Sequence, residues 1–195
     1  MDEFIYYVDQ NDTPTGKVSE KYAAHHHDTQ LHAAFSVYVF DEKGRFLVTK
    51  RASSKKVWPD VWTNSCCGHP FPDETREDAI IRRLDYELGM KVRDIQQIIS
   101  DYTYKTPPYK GIIEHEYCPV YIAITDSSVT TNPDEVEEYK WMSWEDFIVD
   151  AKTDGDDYSD PQADDAPKWS WWCKDQLKQL QENNEFKQFL DKVIS

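Results

Sequence analysis

Hydrophobic and polar positions change period several times along the chain, and each change predicts an element. Residues 4 to 8 read as a short strand, followed by a turn over the Asp-, Asn-, Pro- and Gly-containing residues 9 to 16. Two β-type runs, 31 to 40 and 45 to 51, flank Asp41-Glu42-Lys43-Gly44 and predict a hairpin. Residues 52 to 61 lack a clean period and read as a loop leading into a strand at 63 to 67. From 74 to 88 the period becomes helical. Ile80, Leu84 and Leu88 recur on one face, Gly89 is placed to end the helix, and Arg83 and Glu87 share another face. Strands are predicted at 95 to 106 and 112 to 124 about a Pro-Pro-Tyr-Lys-Gly turn, and again at 137 to 142. A short helix follows at 144 to 151. The acidic stretch from 153 to 165 reads as a solvated surface loop, and the residues from Trp169 onward as an amphipathic terminal helix. The sum is an α+β chain with a mixed β-sheet flanked by helices, expected to form a single compact domain over residues 1 to 195.

Composition narrows the partners. With 39% hydrophobic content over 195 residues the chain can bury one sizeable core. A formal charge of −15 disfavours nucleic acid, and it would also repel a small phosphorylated substrate unless several of the 22 Lys and Arg residues converge in a local basic pocket. No run approaches the ~20 apolar residues of a membrane span, and Met1-Asp2-Glu3-Phe4 lacks a basic leader, so a cytoplasmic location and no membrane partner are expected. Cys66, Cys67, Cys118 and Cys173 are poorly spaced for a secreted disulfide framework and are expected to be reduced.

Two short segments concentrate candidate chemistry. Thr63-Asn64-Ser65-Cys66-Cys67-Gly68-His69-Pro70 sets a thiol two residues from a metal-ligand type, and Glu114-His115-Glu116-Tyr117-Cys118-Pro119 sets two carboxylates on the same side of a strand with His115 opposite. Alternation likewise sends Cys66 and Cys67 to opposite faces, so one of them can face a shared pocket. A strand cysteine is otherwise a small buried hydrophobe, which suits Cys66, Cys118 and Cys173. Together the two segments resemble the active-site motifs of the type I isopentenyl diphosphate isomerases, and nearly the whole chain fits that pattern.

The Nudix superfamily signature is also present in register through Gly68, Glu74, Arg82, Leu84, Glu87, Gly89 and Met90. It departs where Arg83 and Tyr86 stand at two of the three clustered glutamate positions, so metal-binding charge for diphosphate hydrolysis is lost and a phosphate-binding cation is gained. Hydrolysis by a Nudix-type diphosphohydrolase is therefore the alternative reading, and a catalytically silent metal-binding domain the third.

The resemblance implies reversible isomerisation of isopentenyl to dimethylallyl diphosphate through a carbocation-like intermediate in isoprenoid biosynthesis. It assigns Cys67, Glu116 and Tyr104 to proton transfer, and Lys21, Arg51, Lys55 and Arg83 to the diphosphate. It assigns His25, His32, His69, Glu114 and Glu116 to one tightly bound divalent metal, a mixed nitrogen and oxygen set suited to Zn²⁺ or Mn²⁺. Cys67 is a further metal-contacting position, and Glu87 would hold Mg²⁺ bridged to the diphosphate. His26 and His27 read as surface residues. No flavin is expected, since no dinucleotide-type glycine motif is evident, and a monomer is expected. A carbocation needs a dry aromatic pocket, for which Trp62 is a candidate wall and Trp169, Trp171 and Trp172 a candidate closure.

Overall fold

In a computed structural model that describes residues 4–158 and 166–194, the chain forms two mixed sheets rather than one. In chain order the elements are β1 (Phe4–Val8), β2 (Pro14–Glu20), α1 (Lys21–Ala24), β3 (His32–Ala33), β4 (Phe35–Asp41), β5 (Phe46–Arg51), β6 (Trp62–Thr63) and β7 (Cys66–Gly68). Then come α2 (Arg76–Leu88), β8 (Arg93–Ile99), β9 (Thr103–Lys105), β10 (His115–Tyr117), β11 (Val120–Thr125), β12 (Val136–Met142), α3 (Trp144–Thr153), α4 (Trp171–Glu182) and α5 (Asn184–Ile194). One sheet has the order β2-β1-β3-β10-β9, and the other β12-β5-β4-β11-β8 with β6 on β5 and β7 on β4.

The two sheets arise because each of three long apolar runs is bent. The runs expected at 31 to 40, 95 to 106 and 112 to 124 each break into a pair of strands, one per sheet: β3 and β4, β8 and β9, β10 and β11. The parallel register survives the bend, with Glu116 opposite His32 on one side and Val120 opposite Ser36 on the other. Ala34 N–H to Tyr117 O at 2.9 Å and Ser36 N–H to Pro119 O at 3.1 Å carry the pairing across. Pro119 has no N–H, so the ladder yields there.

Strand β4 is buried on both sides and apolar except at Ser36 and Asp41, as suits a strand covered on both faces. Phe35, Val37 and Val39 pack with Ile80, Leu84 and Leu88 of α2, while Tyr38 and Phe40 pack with Trp144, Phe147, Phe186 and Phe189 of the carboxy-terminal helices. Helix α2 begins at Thr75, whose hydroxyl accepts Asp78 N–H at 3.1 Å, and ends at Gly89 in the left-handed region at φ 57°. The expected terminal helix is two helices. Asn183 caps α4 and then accepts Phe186 N–H at 2.9 Å to start α5. Strand β2 was unforeseen because its exposed residues carry no alternation.

The acidic stretch is only partly a solvated loop. Asp154 accepts Lys168 N–H at 2.9 Å and Trp169 N–H at 3.0 Å, and the buried Lys174 ammonium lies 2.8 Å from Asp156. Residues 159–165 of that stretch, and Met1, Asp2 and Glu3, lie outside the described residues. All four cysteines are free thiols, and no helix among the described residues is long and apolar enough to cross a membrane.

Candidate active site

A cavity lies where the two sheets diverge. Lys21, Tyr22, Arg51, Lys55, Val57, Cys67, Gly68, His69, Arg83, Tyr104, Glu114, Glu116 and Trp172 line it. The proposed proton-transfer groups and the four proposed diphosphate cations therefore share one cavity. Glu87 does not line it, and neither does Trp62, whose ring stands 6.3 Å from Trp169 with the Lys140 ammonium over it. Trp172 takes the wall position instead, held by its indole N–H donating to Thr63 Oγ1 at 3.0 Å.

One side of the cavity is a single row across the first sheet. His32 on β3, Glu116 on β10 and Tyr104 on β9 are direct cross-strand neighbours, so the pleat turns all three to one face. Tyr104 O–H donates to Glu116 Oε2 at 2.7 Å, and Glu116 Oε1 lies 3.1 Å from His69 Nε2 and 3.6 Å from His32 Nε2. His115 points away, its Nδ1 3.1 Å from Thr29 O. His26 and His27 are exposed.

The imidazoles are prepared to ligate. His25 Nδ1 sits 2.6 Å from Lys21 O and His32 Nδ1 2.9 Å from Gln30 O, so both rings donate from Nδ1 and turn Nε2 inward. His32 Nε2 and His69 Nε2 face each other at 3.3 Å, and burial pushes His69 down to about 4, keeping that ring neutral. Glu114 Oε2 is 3.0 Å from His25 Nε2, yet it is buried without an aligned hydrogen bond. Converging ring nitrogens and an unsatisfied carboxylate oxygen are unfavourable alone and natural around a cation. Ligand atoms of His25, His32, His69 and Glu116 lie within 4.8 Å of one another. Cys67 and Glu87 stand outside that four-residue group, and Glu114 adjoins it through His25.

The facing side presents Cys67 from β7. Asn64 commits its side-chain amide N–H groups to Val37 O at 3.1 Å and Cys66 O at 2.9 Å, which leaves Oδ1 to accept the Cys67 thiol proton at 3.1 Å. Ser36, opposite Cys67 on β4, places its hydroxyl 3.2 Å from the same sulfur. Burial, reinforced by the Glu116 charge against the pull of Ser36 and Asn64, pushes Cys67 up to about 12, so the resting group is a thiol. For Glu116, burial acts upward but the contacts with His32 and His69 outweigh it and hold the carboxyl well below the usual range. Burial, then the Glu116 charge, raises Tyr104 well above a free phenol, so it remains a donor. Cys66 turns instead into the core beneath α2.

The third side is cationic. Arg51 donates to Trp58 O at 2.9 Å and Val57 O at 2.8 Å, and its guanidinium stands 5.8 Å from the Trp172 ring. Arg83 is buried and reaches Glu87 Oε1 at 2.6 Å and Glu135 Oε1 at 3.3 Å, while Lys55 contacts Glu135 Oε2. Gly68 makes room for Arg83, since a Cβ there would lie 3.0 Å from its Cγ. Burial, then the Arg51 and Lys21 charges, pulls Lys55 down to about 8. Glu135, Tyr22 and Val57 were not anticipated. No sequence signal marks Glu135, and Tyr22 and Val57 could have been suspected only as neighbours of Lys21 and Lys55.

A NUDIX domain model matches residues 30–166. Proteins named isopentenyl-diphosphate Delta-isomerase from Escherichia coli O139:H28, Shigella dysenteriae serotype 1 and Shigella sonnei are each 48% identical over 146 residues, covering 75% of this chain and 80% of theirs. Among solved structures, a Deinococcus radiodurans protein superposes with a TM-score of 0.64 at 16% identity, covering 93% of this chain and 99% of that one. A MutT NUDIX hydrolase from Burkholderia pseudomallei gives 0.54 at 20% identity, covering 77% and 98%. At those identities the two structures speak for the fold alone.

Proposed function

The chain belongs to the NUDIX domain family and, within it, to the isopentenyl-diphosphate Delta-isomerases, and on that premise we propose how its cavity interconverts isopentenyl and dimethylallyl diphosphate. The observation that carries the residue roles is the enclosure of Cys67 and the Tyr104-bonded Glu116 in one cavity with four cations. Moving the double bond requires one proton added at one carbon and another removed from a second carbon. Two groups with very different proton affinities suit that exchange.

Cys67 holds its proton in the resting state, with the S–H aimed at Asn64 Oδ1 and the Ser36 hydroxyl near the sulfur. Glu116 rests as a carboxylate with Tyr104 as its hydrogen-bond donor. Placed between them, the substrate carbons exchange protons with the two groups, and the reverse reaction uses the same pair with roles exchanged. The Trp172 ring and the stacked Tyr104 ring, 6.3 Å apart, offer aromatic faces to the carbocation and exclude water from it.

His25, His32, His69, Glu114 and Glu116 would hold one divalent metal, and the nitrogen-rich set favours Zn²⁺ or Mn²⁺ over Mg²⁺. Bound there, the metal would supply positive charge that lowers the proton affinity of the Glu116 carboxyl. Lys21, Arg51, Lys55 and Arg83 would bind the diphosphate, with Mg²⁺ accompanying it near Glu87. Arg83, standing at a clustered glutamate position and paired with Glu87, supports binding over hydrolysis, because it puts a cation where metal-binding charge would be needed to activate water. We read the protein as a single-domain cytoplasmic monomer.

The test is to incubate metal-loaded protein with isopentenyl diphosphate in D₂O and follow it by proton NMR. Deuterium-labelled dimethylallyl diphosphate is the expected product. Release of inorganic phosphate without isomerisation would overturn the reading in favour of a hydrolase.

A further inference from the structure

The buried ion pairs at the cationic side do not end with the cavity lining. Glu135 stands behind it, and its two carboxylate oxygens reach different elements: Oε1 lies 3.3 Å from Arg83 on α2, and Oε2 contacts Lys55 in the loop after β5. The backbone of Glu135 is equally committed. Its carbonyl accepts Ala52 N–H at 3.0 Å, and its N–H donates to Asn132 O at 3.0 Å. The loop that carries it is fastened to the end of α2 by Asn132 N–H to Glu87 O at 2.8 Å and Thr130 N–H to Leu88 O at 2.8 Å. These bonds satisfy carbonyls that the last turn of a helix otherwise leaves open.

We propose that Glu135 is a positioning residue for the diphosphate, a carboxylate brace that fixes Lys55 and Arg83 relative to one another at the cavity. This rests on the assignment of that cavity to a diphosphate substrate. Glu135 does not line the cavity, so it acts through the two cations. A lysine and an arginine from separate elements repel, and each has a long flexible stem. One carboxylate bonded to both offsets the repulsion and removes the rotamer freedom that binding would otherwise have to freeze. The charges acting on Lys55 are Arg51 and Lys21, which disfavour its ammonium form, and Glu87 and Glu135, which favour it; Arg83 shares Glu135. Loss of Glu135 therefore both frees Lys55 and lowers its protonation.

Inorganic diphosphate separates the brace from the isomerisation. Its binding to the metal-loaded protein is measured by calorimetry across pH 6 to 9, alongside steady-state turnover of isopentenyl diphosphate, for wild type, Glu135→Gln and Glu135→Asp. Glu135→Gln is expected to weaken diphosphate binding and raise KM by about tenfold, the loss of one charge-assisted contact, with kcat within about twofold. The pH above which binding weakens should move downward. Glu135→Asp, which keeps the charge on a shorter stem, should recover part of the loss. If Glu135→Gln does not fold, the Glu135→Asp measurement carries the same sign test. Unchanged or tighter binding in the folded variants, or a pH profile that does not move, overturns the proposal. A wild type that binds inorganic diphosphate but does not isomerise would overturn the isomerase reading while supporting the diphosphate site on which the brace depends.

Discussion

The two halves of the cavity are built differently. The half that carries the imidazoles and the reacting carboxylate is a cross-strand row, His32, Glu116 and Tyr104, in which backbone pairing fixes each side chain against the next. The cationic half draws Lys21 from α1, Arg51 from the end of β5, Lys55 from a loop and Arg83 from α2, and it depends on Glu87 and Glu135 to hold its guanidinium and ammonium groups in place. Proton transfer needs placement to a fraction of an ångström, which a sheet row supplies. A diphosphate presents many acceptors and tolerates looser, charge-based recognition. Substitutions should therefore act on turnover in the first half and on affinity in the second.

The largest effect belongs to the thiol. Cys67→Ala should lower kcat by at least about 10³-fold with KM within a few fold, because it removes a proton-transfer group and leaves the four diphosphate cations in place. NMR in D₂O measures both the turnover and the lost deuterium incorporation. A large rise in KM instead would erase the division between the halves.

Removing the metal comes next. Dialysis against a chelator should abolish turnover and lower the melting temperature by roughly 10 °C, the scale expected when a ligand saturating its site by about a thousandfold is withdrawn. Calorimetry with Zn²⁺ or Mn²⁺ added back reads the recovery. His32→Ala should show the same low melting temperature without responding to added metal. Tyr104→Phe keeps the ring stack and deletes the donor to Glu116, so kcat should fall by about 10 to 100-fold while the melting temperature moves little.

The smallest effect is pH-dependent and sits in the cationic half. Lys55 titrates at about 8 in the folded chain against an ordinary 10.5, so the unfolded chain holds that proton more tightly. Affinity for diphosphate should accordingly be level below about pH 8 and weaken above it by up to about tenfold per unit, whereas the contribution of this group to stability should rise over the same window. Lys55→Arg should flatten the affinity profile. A profile that remains bent in Lys55→Arg would assign the titration to another group.

Sequence reading reached the two halves unequally, for the same physical reason. The bounds of β1, the turn of α2 at Gly89 and the opposed faces of Cys66 and Cys67 follow from local periodicity and cap chemistry, and all three appear in the structure. The bend shared by three strands did not show, because apolar alternation runs on through Ala34 and through Cys118 and Pro119 without a break in pattern. Asn183 splits the last helix through one side-chain cap within a continuous amphipathic stretch. Motif density announced Cys67 and Glu116, whereas Glu135 carries no motif, and its role exists only through contacts with residues 52 and 80 positions away. The choice of Trp172 over Trp62 likewise depends on a long-range hydrogen bond to Thr63.

The unbroken register of the bent parallel pair also bears on how this protein tolerates change. Because His32 and Ser36 stand against Glu116 and Val120 in one frame, a single-residue insertion between them would turn the side chains over on one side of the crease relative to the other. Either the imidazole facing Glu116 or the hydroxyl beside Cys67 would then leave the cavity. Length variation should therefore be confined to the turns at the rim, such as Asp41 to Arg45, and the crease itself should accept substitutions but not a change in residue count.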